Sequence, residues 1–95
     1  FALADGRTVP NSSFVALQRR YSYRTAETYH ISHDPEHVFY YLSEMTPEET
    51  YIFKVYDTDA GAGVRFTAHT AFDDPTSVPD ARPRESVESR ALVFF

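Results

Sequence analysis

The chain has 95 residues and no cysteine, with 9 basic against 14 acidic side chains and a formal net charge of −5. That length supports one domain, burying only about 60–65% of its unfolded surface, so the core should be modest. The acidic balance argues against nucleic acid, which requires a basic stripe to displace counterions, and against an anionic membrane surface.

The lack of thiols excludes disulfides, thiolate metal sites and a cysteine nucleophile, and is compatible with a reducing, cytoplasmic setting. No apolar run reaches the roughly 18 residues of a membrane-spanning helix. The first residues do not read as a signal peptide. Tyr and Phe are abundant, at 7 and 8, and Gly is scarce. That composition leans toward strands.

In chain order, Phe1–Asp5 is apolar and breaks at Asp5-Gly6, a turn pair. Residues 9–13 read as a loop. Phe14–Tyr23 fits either a short strand or one helical turn. Glu27–Ser32 alternates, with Tyr29 and Ile31 against Thr28, His30 and Ser32, as a half-buried strand does. Asp34-Pro35 marks a turn, and Val38–Leu42 a compact aromatic strand. Thr46-Pro47-Glu48-Glu49 carries a helix-start signature, with Thr46 as cap, Pro47 at the first helical position and Glu49 closing a capping box. It predicts one short helix. Tyr51–Tyr56 reads as a strand, Asp59–Gly63 as a turn without the context of a phosphate-binding loop. Val64–Phe72 and Glu85–Phe95 read as strands flanking a loop over Asp73–Pro83. Five or six short strands with one brief helix predict an all-β sandwich or barrel. Both ends are apolar and look cut from a larger sheet, so a fragment or a processed product is expected.

Side chains alternate along a strand. On Val64–Phe72 this puts Arg65, Thr67, His69 and Ala71 on one small, polar face, with Val64, Phe66, Ala68, Thr70 and Phe72 on the other. On the last strand Arg84, Ser86, Glu88 and Arg90 share a face. Arg84 and Ser86 then point the same way, roughly 7 Å apart. A guanidinium beside a hydroxyl fits a ligand carboxylate: two charge-assisted bonds from Arg84 and one from Ser86. A 2-oxo diacid such as 2-oxoglutarate carries such a distal carboxylate. His69 offers one imidazole of the two-histidine-one-carboxylate set that non-haem iron takes. Competing readings stay open on chemistry alone. On that basis His69 fits better a strand histidine satisfied by a neighbour. Arg84 and Ser86, taken alone, fit better an exposed strand end, with a surface ion pair to Glu85 or Glu88 that contributes little.

The segments Phe1-Ala2-Leu3-Ala4-Asp5, Glu27-Thr28-Tyr29-His30, Phe39-Tyr40-Tyr41, Met45-Thr46-Pro47-Glu48-Glu49, Phe53-Lys54-Val55-Tyr56-Asp57 and His69-Thr70-Ala71-Phe72-Asp73-Asp74-Pro75 follow one another here. Pro83-Arg84-Glu85-Ser86-Val87-Glu88 and Arg90-Ala91-Leu92-Val93-Phe94 complete the series. In this order they resemble the aspergillic-acid hydroxylase/desaturase-like family, which includes gibberellin-desaturase-like proteins and a cephamycin methoxylation component. The resemblance covers essentially the whole chain and matches the C-terminal half of the family's enzyme. It implies that residues 1–95 are the C-terminal portion of a double-stranded β-helix (jelly-roll-like) oxygenase domain using Fe(II) and 2-oxoglutarate on a small-molecule natural product of secondary metabolism. By position it makes His69 the distal iron ligand and Arg84 with Ser86 the co-substrate pair. The family's His-x-Asp motif, which supplies the other two ligands, has no counterpart here: His33-Asp34 is adjacent, and adjacent strand residues face opposite ways.

His30, His33 and His37 form a second group. Pro35 opposes a shared helical face, and loop or strand-end roles are expected, with substrate contact assigned to His30. Lys54 reads as a snorkelling side chain, with a second co-substrate cation as the lesser reading. Tyr40, Tyr41, Tyr51 and Tyr56 read as sheet-face aromatics, and no serine sits in a Gly-x-Ser-x-Gly elbow. Two functions are carried forward. One is an oxygenase part, inactive alone, partnered by a missing N-terminal half or another copy. The other is a catalytically inactive β-sheet module for binding or interaction.

Overall fold

The computed structural model describes all residues, Phe1–Phe95. Five strands form two antiparallel sheets: β1 (Ala2–Ala4), β2 (Phe14–Arg20), β3 (Thr25–Ile31), β4 (Phe39–Tyr40) and β5 (His69–Thr70). The first sheet has the order β4-β1-β5, and the second is the β2-β3 hairpin. The regular helix is confined to two 3-10 turns, Gly6–Thr8 and Asn11–Ser13.

Strand β1 is central because its short side chains let both neighbours approach. Ala2 and Ala4 are buried, with Val9 and Ser13 the other buried residues. Asp5 ends the strand. Its carboxylate accepts the backbone N–H of Arg7 at 3.0 Å and its guanidinium at 2.8 and 2.5 Å. The Asp5 N–H donates to the Val38 carbonyl at 2.8 Å. The Val38 N–H donates to Thr8 Oγ1 at 3.0 Å. This turn therefore ties the exit of β1 to the entry of β4. Gly6 is needed here for closeness: a Cβ would lie 2.2 Å from Val64 Cγ1.

Phe14 opens a strand rather than a helical turn, and all seven pairs from Phe14↔Ile31 to Arg20↔Thr25 form. Phe14, Ala16 and Gln18 share a face with Ile31, Tyr29 and Glu27. Phe14 and Tyr29 meet edge-on at 5.7 Å and both rest on Phe66, at 5.4 and 5.5 Å. Ser13 anchors the hairpin: its carbonyl accepts the Ser32 N–H at 2.9 Å, and its hydroxyl lies 3.2 Å from His37 Nε2. At the tip, Tyr21 and Tyr23 stack and Arg24 lies over both rings.

Three expected strands contract or do not form, and the expected helix does not form. Only His69–Thr70 of Val64–Phe72 is laddered, while Tyr51–Tyr56 and Glu85–Phe95 have no strand. An extended segment becomes a strand only where a neighbour takes its backbone hydrogen bonds. Residues 51–56 are joined to the segment before β5 by a single backbone bond, Thr67 N–H to the Lys54 carbonyl at 3.0 Å. Residues 85–95 are exposed throughout. At Thr46 the capping chemistry is half realised. Glu49 Oε2 accepts the Thr46 N–H at 2.7 Å, and the Glu49 N–H donates to the Thr46 carbonyl at 3.1 Å. The product is a tight turn, because the β-branched and aromatic run after Glu49 does not propagate a helix.

Candidate functional site

Residues directly across an antiparallel pair share a face. Leu3 pairs with Tyr40 on one side and His69 on the other, so these three side chains stand on one face of the β4-β1-β5 sheet. Phe1 precedes Leu3 by two residues and joins that face. Ala2, Phe39, Tyr41, Thr70 and Phe72 line an open apolar groove of about 290 Å³ on the opposite face.

His69 is bracketed by aromatic rings. The Phe1 ring lies 5.3 Å from the imidazole and the Phe53 ring 5.2 Å. Tyr51 extends the wall, 5.8 Å from Phe1, and is itself fixed by the Leu42 N–H donating to its hydroxyl at 2.6 Å. His69 Nδ1 lies 3.3 Å from the Thr67 carbonyl. With its proton on Nδ1, donated to that carbonyl, the ring leaves Nε2 free to ligate, an arrangement that backbone carbonyls commonly impose on metal-binding imidazoles.

The Arg84 guanidinium lies over the same Phe1 ring, 5.4 Å from its centroid. The structure thus brings together His69 and Arg84, which the sequence places on separate segments, and does so through one phenyl ring. Arg84 enters no ion pair, so its charge is open to an anion. The strand expected to aim Ser86 alongside it is not formed, and Ser86 is exposed without a hydrogen bond. His30 lies on the second sheet, opposite Val15, on the hairpin face turned away from Phe66. No hydrogen bond or ring contact joins it to His69.

Two other cations near the site are engaged elsewhere. Lys54 Nζ bonds Asp57 at 2.5 Å and the Val64 carbonyl at 3.2 Å, which answers its position in an apolar run without a co-substrate role. Arg65, expected to share the His69 face, donates to the Asp57 carbonyl at 2.9 Å and the Tyr56 hydroxyl at 3.0 Å. The Lys54 ammonium and the Asp59 N–H hold the Asp57 carboxyl below the usual range. The Thr76 hydroxyl and N–H do the same for Asp74, stiffening the turn between His69 and Arg84. The sequence reading missed the aromatic wall of Phe1, Tyr51 and Phe53. The only available signal was the odd-numbered spacing of Phe1 and Leu3, and it acquires meaning once the pairing of Leu3 with His69 is known.

An iron centre takes two imidazoles and a carboxylate on one face. No group of three or more His, Asp or Glu side chains converges in this chain. His69, with Nε2 open, fits the part of one ligand. The rest of the donor set is not among these residues.

A family model described as oxidoreductase/YMDC permease-like domain matches residues 1–94. No helix of the structure is long and apolar enough to cross a membrane. The protein named hydroxylase/desaturase efuI of Hormonema carpetanum is 35% identical over 99% of this chain and 35% of its own length. Hydroxylase/desaturase asaB of Aspergillus flavus is 44% identical over 66% of this chain and 28% of its own length. The protein named Fe(II)/2-oxoglutarate-dependent dioxygenase nvfI of Aspergillus novofumigatus is 37% identical over 98% of this chain and 34% of its own length. The chain spans about a third of the length of these relatives. They are relatives of the kind the order of segments anticipates. No solved structure matches the chain at a significant level.

Proposed function

Because the chain belongs to the oxidoreductase/YMDC permease-like domain family and has hydroxylase/desaturases among its relatives, we propose that it forms one side of an Fe(II)/2-oxoglutarate oxygenase site. In this reading the whole enzyme is a double-stranded β-helix that oxidises a small-molecule natural product of secondary metabolism. The observation that carries it is the meeting of His69 and Arg84 on the Phe1 ring. One is an imidazole with its Nδ1 turned to the Thr67 carbonyl. The other is an unpaired guanidinium suited to a carboxylate. Ferrous iron with a 2-oxo acid supplies the oxidising chemistry when bound. This chain's part is to hold one metal position through His69, to bind the distal carboxylate through Arg84 with Ser86, and to exclude water with the Phe1, Tyr51 and Phe53 wall. The remaining ligands come from polypeptide beyond these 95 residues. His30 reaches the organic substrate from the hairpin.

The test is a pair of substitutions in the full-length protein. Arg84→Ala raises the 2-oxoglutarate KM by at least tenfold, as loss of a charge-assisted carboxylate contact of about 1.5–3 kcal/mol requires, and leaves the KM of the organic substrate within about twofold. His69→Ala abolishes iron-dependent turnover. Equal effects of Arg84→Ala on both KM values, or undiminished turnover with His69→Ala, contradict the assignment.

A further inference from the structure

We propose that Phe1 is a positioning residue that sets the distance between the His69 imidazole and the Arg84 guanidinium, and so selects the chain length of the 2-oxo diacid bound there. This rests on the reading of His69 and Arg84 given above.

The two functional groups differ in how they are held. His69 is fixed by its place in the β1-β5 ladder, opposite Leu3, and by rings on two sides. Arg84 has no ladder, no ion pair and no hydrogen bond to hold it. Its one aromatic partner is the Phe1 face. A long side chain with that much rotamer freedom loses entropy whenever it is ordered on a ligand. A preformed contact removes part of that cost beforehand.

Phe1 is suited to the task because its own surroundings hold it. It is half-buried, the next residue pairs with Thr70, and its ring rests against Tyr51 at 5.8 Å and Phe53 at 6.1 Å. Tyr51 is pinned in turn by the Leu42 N–H. The ring is therefore a rigid spacer fixed to the sheet, with the imidazole and the guanidinium both resting on it. A diacid held at one end near His69 and at the other by Arg84 must match that spacing. One carbon too few leaves the carboxylate short of the guanidinium, and one too many forces the guanidinium off the ring.

The experiment uses the full-length protein with manganese(II) as a redox-silent metal. Calorimetry reads the binding of oxaloacetate, 2-oxoglutarate and 2-oxoadipate, the four-, five- and six-carbon members of one series. Phe1→Leu keeps an apolar side chain, somewhat smaller, but removes the π face. It should weaken 2-oxoglutarate about two- to fivefold, the loss expected for one exposed cation–π contact, and reduce the preference for five carbons over six by a similar factor. Phe1→Tyr should restore both, and manganese affinity should stay within about twofold throughout. Unchanged affinity and length preference in Phe1→Leu, alongside an Arg84→Ala variant that does weaken 2-oxoglutarate, overturns the spacer while leaving the clamp intact. An Arg84→Ala variant that binds all three acids like the parent overturns the clamp, and the spacer with it.

Discussion

At the residue scale, two contacts around the exit of β1 carry separable predictions. Gly6 sits where a methyl group would meet Val64 Cγ1 at 2.2 Å and Cγ2 at 2.9 Å. A β-branched side chain has few rotamers with which to yield. Gly6→Ala should therefore destabilise by about 1–3 kcal/mol, read as a lower urea midpoint. Val64→Ala in the same chain should recover part of the loss, because the clash is between those two side chains and their effects are coupled. The neighbouring Asp5 gives a pH prediction. Hydrogen bonds from the Arg7 side chain and then its backbone N–H hold the Asp5 carboxyl at about 2, below its ordinary 3.8. A carboxyl with a lowered folded pKa stabilises fully above its unfolded value, and that stabilisation is lost as pH falls through the folded one. The chain should lose stability on acidification from pH 3.8 toward about 2. Asp5→Asn should flatten that part of the stability-against-pH curve, because Asn has no proton to gain. A curve of the parent's steepness in the variant would rule Asp5 out as a contributor.

At the element scale, the hairpin depends on a small anchor. A two-stranded ribbon is marginal by itself in water, and this one meets the body through Phe14 and Tyr29 on Phe66 and through Ser13. Tyr56 also touches Phe66, at 5.5 Å. Phe66→Ala should cost roughly 2 kcal/mol, less than the 3–5 of a fully buried phenylalanine because Phe66 is only partly covered. The loss should appear first as faster amide exchange over β2 and β3, with β1 less affected; uniform exchange across both sheets would mean the hairpin is not a separate unit. This dependence on a partner also explains which elements were legible in the sequence. The alternation of Glu27–Ser32 gave β3 nearly to its bounds, since its partner β2 is close in the chain and the two pair through a short turn. Tyr51–Tyr56 is richer in β-branched and aromatic residues than Glu27–Ser32, and Glu85–Phe95 ends on Val93-Phe94-Phe95, yet neither has a ladder, because composition reports a preference for extension and says nothing of what lies alongside. The capping pattern at Thr46 predicts a helix, and only half of its chemistry appears, without the helix. The Glu49 half of the box forms, the Thr46 hydroxyl takes no part, and the backbone bond between the two residues closes a turn. The candidate site followed the same rule. His69 lies on a strand as expected, whereas the directions expected of Arg84 and Ser86 depend on a strand that is not formed, and what brings Arg84 to His69 is a ring at the far end of the chain.

At the scale of the whole molecule, the distribution of apolar surface is the dominant fact. Four residues are buried, while Phe39, Tyr41 and Phe72 are each more than 40% exposed around the groove behind β1. The radius of gyration is 15.7 Å, against about 12–13 Å for a compact domain of this length. Apolar area left in water at roughly 25 cal/mol per Å² is a standing drive toward association. The sheet edges β4 and β5 add unpaired backbone groups that a further strand could use. We therefore expect the isolated 95-residue chain to gain mass above the monomer as its concentration rises, and to bind a hydrophobic dye at neutral pH without denaturant. Light scattering and dye fluorescence read the two effects. Charge offers a competing cause of association, and salt separates them. At about 1 M salt, attraction between exposed charges is screened beyond roughly 3 Å, whereas burial of the groove-lining aromatics is not weakened. Association that persists or strengthens at high salt assigns it to these faces. Dissociation at high salt would assign it to charge, and a chain that stays monomeric and dye-silent at every concentration would mean that the exposed aromatics cover one another in solution.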